Sequence, residues 1–202
     1  MKLPLALKKT HLIRPVTRFL DYGCGQNGLV KLLRKYDDFE SIEFNSFDPA
    51  IEKYSENPCG EFDILTCIDV LEHISRSQIT CILDNISCLT RGFFFFAIDL
   101  VPAFKTLSDK RNAHILLAPP DWWCQQISSK FSCTRFLQVG NFESGEVFPC
   151  HLFGWATNSP GSQQMANVFF DSIEIFSKKW ILHSEDFHIV KFQSETAKWL
   201  IE

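Results

Sequence analysis

Phe19-Leu20-Asp21-Tyr22-Gly23-Cys24-Gly25-Gln26-Asn27-Gly28 is a short apolar run that breaks into a glycine-rich turn spaced G-x-G-x-x-G (Gly23, Gly25, Gly28). A strand, such a turn and then a helix is how α/β proteins seat a nucleotide-like cofactor. Glycines let the backbone approach a ligand, because no Cβ intervenes. The helix that follows aims unpaired N–H groups and a positive dipole end at the same place. Two cofactor classes use this spacing, and they imply different chemistry.

Outward from the turn, apolar periodicity alternates between strand and helix. Strands are expected near residues 17–21, 42–47, 62–68 and 93–98, with helices near 28–36 and 77–89. The run Gly92-Phe93-Phe94-Phe95-Phe96-Ala97-Ile98 suits a strand buried on both faces. Pro119-Pro120-Asp121-Trp122-Trp123 opens a helix reaching about residue 129, since prolines and an acid fit a first turn. Two further strands, near 131–139 and 147–156, are joined through Gly140 and Gly145 and read as an antiparallel hairpin at the sheet edge. A helix near 163–179, a short strand or loop and a frayed end follow. Only twelve residues separate Asp48 from Glu61, too few for a full helix plus a strand, so one crossover is shortened and an edge strand reduced or missing. The expected fold is α/β: a Rossmann-like, doubly wound, mostly parallel sheet with an antiparallel edge hairpin, a reduced third strand and a C-terminal helical appendage. Residues 1–160 form the domain, and 161–202 a mainly helical extension packed on it.

The 202 residues, 46% hydrophobic, suffice for one domain with a full core. Twenty Phe against three Tyr make the aromatics mostly core filler. A net charge of -4 leaves no global basic footprint for nucleic acid. Lys2, Lys8, Lys9, Arg14 and Arg18 read as a solvated basic terminus, with attraction of an anionic substrate as the alternative. No secretory signal or membrane-length apolar run is visible, and the eight cysteines form no C-x-x-C pair. Reduced thiols in the cytoplasm are expected, some (Cys67, Cys81, Cys88) as small hydrophobes, and no metal site.

Asp48 lies twenty residues beyond Gly28, where a carboxylate takes ribose hydroxyls in either cofactor class. Asp21 separates the classes. A carboxylate beside the turn disfavours a dinucleotide's pyrophosphate and attracts the α-ammonium and sulfonium of S-adenosylmethionine. At this point the chain resembles the class I S-adenosylmethionine-dependent methyltransferases. The residues that carry the resemblance are Asp21 to Gly28, Phe47-Asp48-Pro49, and Phe62-Asp63-Ile64-Leu65-Thr66-Cys67-Ile68-Asp69-Val70-Leu71-Glu72-His73-Ile74. It spans roughly residues 17–156 and departs in the missing third strand with its adenine-binding acid. The resemblance implies that Asp21, Gly23, Cys24, Gly25 and Gly28 cradle the methionine part of S-adenosylmethionine. It also implies that Asp48 and Pro49 hold the ribose side and that Ile68, Asp69 and Val70 flank the cofactor. Cys24 reads as a small residue in a crowded turn, with no nucleophilic role.

Methyl transfer is an in-line displacement in which the protein chiefly aligns the nucleophile, and an oxygen nucleophile often needs a general base. The acceptor lies beyond the C-terminal strand ends, near Asp69, Glu72, His73 and Asp99. The loop from Lys105 to His114 follows, with Trp122 and Trp123 close behind. His114 is the first candidate base and His73 the second; otherwise His114 pins its loop and His73 sits in a first helical turn. Adjacent residues on a helix point apart, which argues against a Glu72/His73 metal pair. At least one of the tryptophans belongs to the core. The expected activity is methyl transfer to a small-molecule or saccharide-like acceptor, with no nucleic-acid or membrane partner. A non-catalytic cofactor-binding scaffold and a nicotinamide-dependent oxidoreductase are the alternatives.

Overall fold

The computed structural model describes residues 2–143, 146–173 and 180–183. The strands are β1 (Arg18–Tyr22), β2 (Glu43–Phe47), β3 (Phe62–Ile68), β4 (Thr90–Asp99), β5 (Cys133–Glu143), β6 (Glu146–Thr157) and β7 (Trp180–His183). They form one sheet in the order β2-β1-β3-β4-β6-β5-β7. The first three pairings are parallel and the last three antiparallel. The helices are α1 (Leu3–Ile13), α2 (Gly28–Leu33), α3 (Ile79–Leu89), α4 (Pro120–Ser128) and α5 (Gln163–Ser172).

The doubly wound α/β expectation holds, and its departures are local. Between β2 and β3 the chain makes only a 3-10 turn at Glu52–Tyr54, so β2 stands at the sheet edge where a third strand would have paired. The β5–β6 hairpin forms, but β7 pairs with β5 beyond it, so the hairpin is one strand in from the edge. The helix read across 163–179 spans Gln163–Ser172; residues 174–179 and the frayed end at 184–202 lie outside the described residues.

Strand alternation divides the core. Phe19, Ile64, Phe93, Phe95 and Ala97 face α1, α2 and α5, whereas Leu20, Leu65, Phe94, Phe96 and Ile98 face α3 and α4. The four consecutive phenylalanines thus supply both layers: Phe93 and Phe95 meet Phe169 of α5, and Phe94 stacks on Phe131. Trp123, on the inner face of α4, is fully buried, as expected for one of the pair. Cys67 is buried, but Cys81 and Cys88 are exposed, so only the first of these three serves the core.

The basic N-terminus is more than a solvated tail. α1 starts on Pro4 in its first turn and buries Ala6, Leu7 and Thr10. Ala6 and Leu7 share one apolar cluster with Met165, Ala166 and Phe169 of α5, and the Lys2 amide donates to the Ile173 carbonyl at 3.1 Å. The lysines lie on the outer face of an amphipathic helix.

At the end of the sheet opposite the glycine turn, Asp63 joins three strands. Its Oδ2 accepts from the Thr17 amide (2.8 Å), the Thr17 hydroxyl (2.7 Å) and the Arg18 amide (3.1 Å). Its Oδ1 accepts from Arg91 at 2.6 Å, while the residue is 3% exposed. Burial would raise its carboxyl, yet the hydrogen bonds from Thr17, Arg91 and Arg18 hold it below the usual range. A depressed acid stabilises the fold above its unfolded value and loses that contribution as pH falls through the folded one. Asp63→Ala should therefore cost about 3 kcal/mol in urea unfolding at pH 7. The deficit should shrink once the pH drops below about 4. A cost under about 1 kcal/mol would show that the three-strand junction is dispensable.

Candidate functional site

The turn after β1 is tied to both neighbouring strands. The Gly23 and Cys24 amides both donate to the Phe47 carbonyl at the end of β2, at 2.7 and 3.0 Å. Gly23 has φ +80°, and a Cβ there would lie 2.3 Å from a Val70 methyl. No side chain fits at that position. Gly25 also has a positive φ, +50°, but a Cβ there would meet nothing of the protein. The space it leaves belongs to a cleft of about 570 Å³. Gly23 therefore serves the fold, and Gly25 keeps open room for a ligand. Gly28 starts α2 and does not line the cleft.

Two carboxylates flank this turn. Asp21 is 6% exposed beneath it, and Oδ1 accepts from the Thr66 hydroxyl at 3.1 Å. Burial pushes its carboxyl up to about 6, against the Thr66 hydrogen bond and with the nearby Asp48 charge adding to the rise. Asp48 Oδ2 accepts the Gly25 amide and Oδ1 the Ala50 amide, both at 2.9 Å. Each oxygen retains a lone pair for a further donor. Asp48 thus shapes the turn and still faces the cleft. The Cys24 thiol is pushed up to about 11, by burial first and then by Asp21 and Asp48, which keeps it protonated and inert.

The structure gathers Gly23, Gly25, Asp48, Pro49, Asp69, Val70 and His73 onto one cleft wall. Asp21, Cys24 and Ile68 lie behind it, and His114 is not on it. Ile74, Gln78 and Ile82 also line the cleft, together with Tyr22, Phe47 and Ala50. The sequence reading did not name these as site residues: it read 77–89 only as a helix. Among the described residues no lysine or arginine lines the cleft.

Past β3 the backbone doubles back. Asp69 takes φ +54°, and Leu71–His73 makes a single 3-10 turn in place of the expected helical start. The objection to pairing Glu72 with His73 assumed α-helical geometry, so it does not apply. Glu72 is 0% exposed; burial, then the Asp69 and Asp99 charges, outweigh its backbone hydrogen bonds and push its carboxyl up to about 8. The His73 and His114 rings meet edge to face with centroids 4.8 Å apart. His114 Nδ1 donates to the Val101 carbonyl at 2.6 Å, which pins its loop as the non-catalytic reading required. His151, which the sequence reading did not single out, hydrogen-bonds Asp99 through Nδ1. Its signal is the register of β6 on β4, which sets His151 directly opposite Asp99. That pairing is invisible until the antiparallel partner is known.

No protein-family profile matches the chain, and neither does any curated protein. Solved structures do. The methyltransferase domain of bacterial CtHen1-C superposes with a TM-score of 0.53 at 15% identity, over 76% of this chain and 95% of that one. The plantazolicin methyltransferase BamL, in complex with a triazolic desmethylPZN analog and SAH, gives 0.52 at 15% identity over 77% and 82%. The mitomycin 7-O-methyltransferase MmcR gives 0.51 at 10% identity over 76% of this chain and 52% of that one. The fold is that of the class I S-adenosylmethionine-dependent methyltransferases. Among the described residues no helix is long and apolar enough to cross a membrane.

Asp21 makes the ligand-free site measurable. Its folded value, about 6 against an ordinary 3.8, means that stability is full below the ordinary value and falls as pH rises through the folded one. At pH 7.5, ligand-free Asp21→Asn should be more stable than the parent by about 2–3 kcal/mol, with the gain vanishing near pH 4. Paired denaturant titrations at the two pH values check this; equal stability at pH 7.5 refutes the buried-charge assignment.

Proposed function

We propose that this chain is an S-adenosylmethionine-dependent methyltransferase acting on a small molecule through an oxygen or nitrogen nucleophile. The observation that carries the reading is the charge of the cleft: Asp48 and Asp69 line it, Asp21 lies buried beneath the turn, and no lysine or arginine among the described residues lines it. A sulfonium with an α-ammonium suits such a site, whereas the pyrophosphate of a nicotinamide dinucleotide would meet only like charge. The room left by Gly25 and the spare lone pairs of Asp48 fit the group as well. When bound, it supplies an electrophilic methyl for in-line displacement.

The protein's part is to bind, orient and manage a proton. Asp21 supplies negative potential under the turn, and Asp48 takes ribose hydroxyls with the lone pairs that the Gly25 and Ala50 amides leave free. Ile74 and Ile82 offer an apolar wall for a purine, with the Gln78 amide as a polar edge beside it. Of the two candidate bases, His73 lines the cleft and His114 does not. The acidic balance of the chain and the carboxylates of the cleft favour a small acceptor over a polyanion. Residues 1–160 carry these groups, and α5 packs on the same domain. Eight cysteines with no C-x-x-C spacing among them suit a reducing, cytoplasmic setting.

Calorimetry with S-adenosylhomocysteine and, separately, NADH tests the proposal. Heat with the first and none with the second is expected; the reverse pattern sinks it. Asp48→Asn, which keeps one carbonyl acceptor, should weaken S-adenosylhomocysteine by about 1–3 kcal/mol through loss of charge-assisted bonds. Unchanged affinity would remove Asp48 from the ribose site.

A further inference from the structure

Glu72 is buried without complete partners. Its Oε1 accepts the Asp99 amide at 3.0 Å, while Oε2 meets no donor although the residue is 0% exposed. A carboxylate oxygen in that position is costly unless something positive reaches it. The groups around it are those a cation uses. One donor atom from each of Glu72, His73 and His114 lies within 4.8 Å of the others, and the same holds for Asp69, Glu72 and Asp99. The two imidazoles are already oriented as ligands. His73 Nδ1 faces the Ala113 carbonyl at 2.8 Å, and His114 Nδ1 faces the Val101 carbonyl at 2.6 Å. A carbonyl oxygen can only accept, so each Nδ1 carries the ring proton and each Nε2 presents a lone pair. Backbone anchoring of the distal nitrogen is the usual outer support of a metal-bound histidine.

We propose that Glu72, His73 and His114 bind a divalent first-row transition-metal ion, with Asp69 as a further carboxylate on the cleft side. Two imidazole nitrogens beside carboxylate oxygen favour Mn²⁺, Fe²⁺, Co²⁺ or Zn²⁺ over Mg²⁺ and Ca²⁺, which prefer oxygen shells. Asp99 is engaged by His151 and stands outside the set. His73 and Asp69 both line the cleft, so the ion sits where an acceptor would enter. An acceptor oxygen can complete its shell and lose its proton more readily there. The two histidines then act on the acceptor through the ion, in place of serving as free bases. The metal site does not depend on the cofactor assignment.

The test uses tag-free, chelator-stripped protein titrated with Mn²⁺ and with Zn²⁺. Calorimetry reads both ions, and loss of the free-ion electron paramagnetic resonance signal reads Mn²⁺. One saturable ion per chain is expected. Glu72→Gln keeps the shape of the side chain and removes the uncompensated charge, so it should melt no lower than the parent. It should bind Mn²⁺ roughly tenfold or more weakly, as should His73→Asn. His11→Gln, a histidine on the remote α1, should bind as the parent does. No saturable binding by the parent, or binding that survives both Glu72→Gln and His73→Asn, overturns the proposal. Measuring S-adenosylhomocysteine on the same samples separates the two assignments. Protein that takes S-adenosylhomocysteine but no ion refutes the metal site alone, and protein that takes the ion but no S-adenosylhomocysteine refutes the cofactor alone.

Discussion

The site rests on one steric contact, the Val70 methyl set against the missing side chain of Gly23. β1 and β3 are adjacent and parallel, so the turns that leave them emerge side by side and compete for the same volume. The conflict is resolved by a glycine at φ +80° on one turn and by Asp69, at φ +54°, leading into the other. With the two turns interlocked, the Gly23 and Cys24 amides reach the Phe47 carbonyl and Asp48 reaches the Gly25 amide. Three strand ends are thereby held at one level, and the cleft is the space left between them. A non-glycine residue with positive φ costs of order 1–3 kcal/mol, so Asp69 is held by its surroundings and not by preference.

The same crowding concentrates acids. Asp21, Asp48, Asp69, Glu72 and Asp99 all lie at the C-terminal ends of parallel strands or just beyond them. At the other end of the sheet, Asp63 is fully supplied with donors from Thr17, Arg18 and Arg91. The contrast is one of partners. The basal carboxylate is satisfied within the protein and stabilises the fold, whereas Asp21 and Glu72 are buried with too few donors. Stability and function are thus placed at opposite ends of the strands.

The parallel half of the sheet was legible because its signals are local. The apolar run into Gly23 and the four phenylalanines of β4 each fall within a few residues, and the short span after Asp48 revealed the missing strand. What escaped depends on distant partners. α1 was hidden because its lysines dominate the composition and Pro4 reads as an interruption, although proline is at home in a first turn. β7 was read only as a short strand or loop, because its four residues gain their identity from pairing with β5. At the site, the glycines and Asp48 could be placed from spacing alone. The 3-10 turn at Leu71–His73 could not, since a one-turn change of helix type leaves little trace in composition. That small change decides where Glu72 and His73 point.

The pairing of α1 with α5 bears on how the chain folds. α1 is the first helix and α5 the last helix among the described residues, and their apolar faces meet across some of the largest sequence separations in the domain. During synthesis, Ala6 and Leu7 therefore emerge long before Met165, Ala166 and Phe169 exist to cover them. Closing so long a loop carries an entropic cost that is recovered only when both ends are present. The sheet can collapse earlier, but the face shared by α1 and α5 stays open until about residue 173 has left the ribosome. Completion of that layer is therefore a late step in folding.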